Sequence, residues 1–164
     1  MRWTSLLFPL LFVACAGPSG SDADACSRYF VPYEDHVSQR ERNTLNNDYM
    51  DAMALYRKAD YAGARDGLVQ YLSRKGGEKS AYMYLACCYL ALGEPFEAEL
   101  QLDHLERSST LQYSDQVEWY TVLCWLCSDQ LPRARKGAEV IAGKKAHTYR
   151  AEAIRLMKEL GAQD

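Results

Sequence analysis

A short residue pattern returns three times along the chain and restricts the fold more than any other feature. A small residue, an aromatic or Leu, a turn, another small residue and a Leu recur as Ala52, Leu55, Ala59-Asp60-Tyr61, Ala64 and Leu68. They recur again as Ala86, Tyr89, Gly93-Glu94, Ala98 and Leu102, and as Val122, Trp125, Asp129-Gln130, Ala134 and Ala138. Ala64 to Ala98 spans 34 residues and Ala98 to Ala134 spans 36. A period near 34 predicts an all-α superhelix of stacked helical hairpins, because one hairpin cannot bury its apolar face alone. Arrays of this kind bind other chains rather than transform small molecules.

Ahead of the repeats, Leu6 to Ala14 is an apolar run with Arg2 as its only early charge. It is too short to span a bilayer, which takes about 20 residues, and reads as a signal peptide over residues 1–14. Its end, Phe12-Val13-Ala14-Cys15, resembles the lipobox of bacterial lipoproteins, with Phe12 where Leu is usual and Cys15 as the lipidated residue. Ala14-Cys15-Ala16 also fits ordinary secretory cleavage, which would leave a soluble secreted or periplasmic protein. Residues 15–25, rich in Gly, Ser and Asp, lack apolar periodicity and read as a flexible tether. The remainder suffices for one domain. A net charge of −3 gives nucleic-acid binding no support. From Leu131 onward, Arg133, Arg135, Lys136, Lys144, Lys145, Arg150, Arg155 and Lys158 outnumber the carboxylates, the pattern of a solvated helix face.

Within residues 45–164 the periodicity predicts helices over Asn46–Lys58, then from Ala64 through Leu72 to a Gly76-Gly77 stop, then over Ser80–Leu92. Pro95 suits the start of the next helix, which carries Phe96, Ala98, Leu102 and Leu105. A third hairpin follows from Ser114 to Cys127 and from Leu131 to Ala142, the extra two residues of its period falling in the 108–112 loop. The amphipathic stretch Ala146–Leu160 predicts a capping helix that covers the last hairpin. Ala52 with Ala64, and Ala86 with Ala98, mark close helix crossings, where longer side chains would force the helices apart.

On Tyr82, Leu85-Ala86, Tyr89, Gly93, Ala98 and Leu102, the chain resembles the tetratricopeptide repeat family, with three repeats and a capping helix over about Leu45 to Gly161. Repeat one departs at Asp48 and Asp51, repeat three at Thr121 and Ala138, and none keeps the terminal Pro. Trp119-Tyr120, Ala134 and His147-Thr148-Tyr149-Arg150 also resemble small bacterial tetratricopeptide lipoproteins. The resemblance implies a concave groove that takes a peptide or helix of another protein. Carried onto this chain it is lined by Tyr49, Met53, Tyr56 and Arg57, by Met83, Cys87 and Leu90, and by Trp119, Leu123 and Leu126. Bare, such a surface would exceed the apolar patch a monomer tolerates. A partner protein, a second copy, or the chain's own segment 26–44 with Tyr29-Phe30-Val31-Pro32-Tyr33 are the possible covers.

The expected function is a membrane-anchored adaptor of the bacterial cell envelope, not an enzyme, with a protein partner and no cofactor, nucleic acid or small-molecule substrate. Ala16 after Cys15 resembles lipoproteins sent to the outer membrane. Two other readings compete. One is a self-associating structural oligomer; the other uses Cys87, Cys88, Cys124 and Cys127, on corresponding helices, as a zinc or redox cluster. Mid-helix cysteines behave as small buried hydrophobes, and five cysteines besides Cys15 cannot all pair, so at least one thiol is expected to be free. His36, His104 and His147 fall in no nucleophile or metal spacing.

Overall fold

The computed structural model describes residues 22–75, 78–107 and 111–161. The expected signal peptide, the Phe12–Cys15 motif, most of the expected tether and the expected Gly76-Gly77 stop lie outside the described residues. Those described are all-helical: α1 (Asp22–Tyr29), α2 (Asn47–Tyr56), α3 (Tyr61–Lys75), α4 (Lys79–Ala91), α5 (Pro95–Glu106), α6 (Ser114–Cys127), α7 (Leu131–Gly143) and α8 (Arg150–Gly161). From α2 to α8 every helix packs on its neighbour in sequence; α4 also touches α2 and α6, and α1 lies on α6. α1 begins inside the expected tether because Ala25 is buried and Cys26 is bonded to α6.

The repeat is visible in the hydrogen bonds of three turns. At the end of α2, Ala59 N–H donates to Tyr56 C=O and Asp60 N–H to Leu55 C=O; at the end of α4, Gly93 and Glu94 bond Leu90 and Tyr89 in the same way. Asp129 and Gln130 repeat the arrangement on Leu126 and Trp125 after α6. These are Schellman ends, in which one left-handed residue lets the chain satisfy the last carbonyls before the next helix begins. Ala59, Gly93 and Asp129 take that residue's place, with φ of 58°, 75° and 60°. Only Gly93 has no Cβ to strain. Ala59→Gly is therefore expected to stabilise the protein by about 1 kcal/mol, since a Cβ in this conformation costs about that much and exposed Ala59 contributes no packing. A lower urea midpoint for the variant would contradict this account of the turn.

Close crossings lie where small residues permit them. Ala52, Ala64, Ala86 and Ala98 are all buried, and a Cβ added at Gly67 would come within 2.9 Å of Ala52 Cβ. At Gly137 an added Cβ would meet Val122 at 2.6 Å and Trp125 at 2.9 Å, so α6 and α7 approach closely only because that position is glycine. The capping helix starts at Arg150, later than the expected Ala146. Asp115 of α6 accepts both the amide and the hydroxyl of Thr148, holding residues 147–149 as a turn ahead of α8. The basic residues near the C-terminus are dispersed: Lys144 pairs with Glu118, Arg135 with Glu139, and Arg133 pairs with Glu99 while stacking on Trp125.

Candidate functional site

The wall made by α2, α4 and α6 is occupied by the chain itself. Residues 30–37, with neither helix nor strand, cross it as a strap between α1 and the turn that leads to α2. One tyrosine from each wall helix donates to a main-chain carbonyl of the strap. Tyr120 reaches Val31 C=O at 2.7 Å, Tyr56 reaches Tyr33 C=O at 2.8 Å, and Tyr84 reaches Glu34 C=O at 3.0 Å. The strap returns two donors, since Tyr33 N–H points at Cys87 Sγ and His36 N–H bonds the Tyr84 hydroxyl. Burial raises the pKa of all three tyrosines, which keeps their hydroxyls protonated as donors. Because these bonds use main-chain atoms, the wall reads the course of a polypeptide more than its side chains.

Of the three possible covers, the structure has the chain's own segment on the wall, so the groove is filled and not open. Tyr49, Met53, Tyr56, Met83, Cys87, Leu90, Trp119, Leu123 and Leu126 are buried, and only Arg57 is exposed. Tyr49 stacks on Tyr71 and donates to Ser80; Trp119 lies parallel to Tyr149 at 5.7 Å and meets the edge of Tyr29. These side chains are shared among the helices, the strap and the cap, so they complete the core in place of a bare surface. Val37 is fully buried, yet Val31 keeps 69% of its surface in solvent, and Glu34 and His36 are also exposed. Beside the strap remains a cleft of about 440 Å³ whose lining includes Tyr29, Pro32, Tyr33, Trp119 and Tyr149, with Glu34 and Glu152.

Three carboxylates fasten the strap and cap. Burial alone would raise the Asp35 pKa, but the Ser38 hydroxyl, the Ser38 and Val37 amides and nearby Arg57 hold it below the usual range. Glu159 is lowered by the Tyr29 hydroxyl and by Arg28, which tie α1 to α8. Asp115 is lowered chiefly by the Thr148 amide. Each is depressed in the folded state, so its contribution is full above the unfolded carboxylate pKa, about 4, and is lost as pH falls through the folded value. On acidification below pH 4, the Val37, Ser38 and Thr148 amides are expected to gain exchange before those of α4. Simultaneous exchange of both groups would show that these carboxylates secure nothing locally.

The cysteine cluster is corrected as well. Cys127 is bonded to Cys26 across a separation of 101 residues, which removes it from any set with Cys87, Cys88 and Cys124. Those three are free and buried. Burial pushes the Cys87 thiol up to about 11 and raises the Cys88 and Cys124 thiols strongly as well, so all three are protonated at neutral pH and unsuited as nucleophiles. Among the described residues no group of three His, Cys, Asp or Glu is arranged to hold a metal ion. His104 stacks on Tyr82, and exposed His36 serves through its main-chain amide. Buried His147 accepts the Tyr149 amide through Nδ1, its Nε2 lying 3.5 Å from Glu118 and 3.7 Å from Asp115.

Sequence reasoning missed Tyr84, Tyr120 and the Cys26 pairing. Tyr84 and Tyr120 stand 36 residues apart, in step with the repeat, a signal that could have marked them as a matched pair. The chain matches no family model, no curated protein and no solved structure.

Proposed function

We propose that the protein is a non-enzymatic interaction module of the bacterial cell envelope, a superhelix of three tetratricopeptide-type hairpins with a capping helix, tethered through lipid on Cys15. Its wall of α2, α4 and α6 receives a polypeptide segment. The observation that carries this reading is the trio of hydroxyls, Tyr56, Tyr84 and Tyr120, donating to main-chain carbonyls of residues 31–34. A wall able to hold its own strap by main-chain atoms can hold another chain's segment in the same way. The matched turns at Ala59, Gly93 and Asp129 support the three-hairpin description.

A photo-crosslinker placed in cells at Arg57 or His36, both exposed at the margin of the wall, is expected to yield a discrete adduct with another protein. Adducts confined to the chain itself would remove the partner from this reading. For the anchor, Cys15→Ala is expected to abolish lipid labelling and to move the protein from the membrane to the soluble fraction. Continued membrane association of that variant would refute tethering at this residue. No helix among the described residues is long and apolar enough to cross a membrane. Self-association is the second reading, favoured by exposed Phe96 and Leu100, one turn apart on α5. A monodisperse monomer in light scattering would end it.

A further inference from the structure

We propose that Cys26–Cys127 is a redox latch, whose reduction lets the strap leave the wall while the helices from α2 to α8 stay folded. The proposal rests on the reading above of the wall as a receptor, and gives that receptor its regulation. The strap is held at two ends. Upstream, the disulfide joins α1 to the last residue of α6; downstream, the chain continues through residues 38–46 into α2. Between those ends the attachment combines hydrogen bonds to the three tyrosines and the Cys87 sulfur with the packing of Phe30, Tyr33 and buried Val37 on the core. Outside the bond, α1 packs on α6 with Tyr29 against Trp119, and Arg28 and Tyr29 both reach Glu159 of the cap. By contrast, each helix from α2 to α8 packs directly on its neighbours, and those contacts do not run through the strap.

The bond is also placed for exchange. Cys26 and Cys127 are both partly solvent-exposed, whereas Cys87, Cys88 and Cys124 are buried thiols with raised pKa values. Those internal thiols carry too little thiolate to attack the bond. Release therefore takes an external dithiol. Its thiolate attacks one sulfur of the pair to form a mixed disulfide, and its second thiol resolves that intermediate. Two electrons pass to the cysteines, which take up two protons and end as thiols, while the dithiol leaves as its own disulfide. Cutting the bond turns a strap tethered at both ends into one tethered at one end. The intact link through residues 38–46 still keeps it at roughly millimolar effective concentration, so an incoming segment must compete with it.

The test uses the full chain, oxidised or reduced with dithiothreitol, alongside the Cys26→Ser, Cys127→Ser variant. Hydrogen exchange of the Tyr33 and His36 amides is read against amides inside α4 and α6. A tenfold or greater acceleration in the strap on reduction, with α4, α6 and the helical circular dichroism unchanged, is the expected result, and the double variant should match the reduced protein. Unchanged strap exchange overturns the latch, and so does loss of the helical signal in both reduced protein and variant. A fluorescent peptide of residues 27–38 then probes the open wall. Binding to reduced but not oxidised protein supports both the latch and the receptor. Equal binding to both forms overturns the latch. An opened strap with no peptide binding leaves the latch standing and defeats the receptor reading.

Discussion

Replacing Cys26 and Cys127 by Ser is expected to lower the unfolding free energy by up to about 4.7 kcal/mol, the chain-entropy value for freeing a loop of about a hundred residues. The separation of 101 residues puts α2 to α6 inside the closed loop and leaves α7 and α8 outside it, so the cross-link restricts the unfolded ensemble over most of its length. Against a typical total of 5–15 kcal/mol, that is a large share. A strap that loosens in the variant regains entropy in the folded state, and the measured loss then falls below the ceiling. Urea denaturation of parent and variant under non-reducing conditions reads the difference. A change under about 1 kcal/mol would show that the bond constrains the unfolded chain far less than its span implies.

Trp119→Ala is the other change expected to be severe, with a loss of about 3–5 kcal/mol, the usual range for emptying a large aromatic site in a core. Trp119 is only 2% exposed. It is stacked on Tyr149 ahead of the cap and set edge-on to Tyr29 of α1, so its removal leaves a void where three parts of the fold meet. Had it been a surface anchor, truncation would leave stability nearly unchanged and weaken only partner capture. Denaturation separates the two. A loss below about 1 kcal/mol would place Trp119 outside the cooperative core.

The same residue shows how far the sequence can be read. Its place on the inner wall of the third hairpin was legible, and so was the need for that wall to be covered. Which of the three possible covers took the wall was not, because a hydrophobic pattern counts burial without saying what buries it. The helix limits illustrate the point from the other side. Ser114–Cys127 and the start at Leu131 followed from local periodicity and Pro132, while the late start of α8 depended on Asp115, distant in sequence, receiving Thr148. The pairing of Cys26 with Cys127 was beyond reach for the same reason, since among five cysteines besides Cys15 no local spacing singles out either. Among the candidate site residues, their clustering on α2, α4 and α6 was foreseen and their accessibility was not. Tyr84 and Tyr120 carried a periodic signal that apolar counting passed over, because a buried hydroxyl is scored there only as a ring.

Joining α1 to the far end of α6 also determines where tension entering from the N-terminal side would travel. A pull on the residues before Asp22 passes through a covalent bond into the third hairpin and, by Arg28 and Tyr29, into α8. The strap and α2 are bypassed. With the sulfurs separated, only the ties of Arg28 and Tyr29 to α8 and the packing of α1 on α6 would stand between the same pull and residues 30–46, and once they gave way it would peel the chain from the tyrosines.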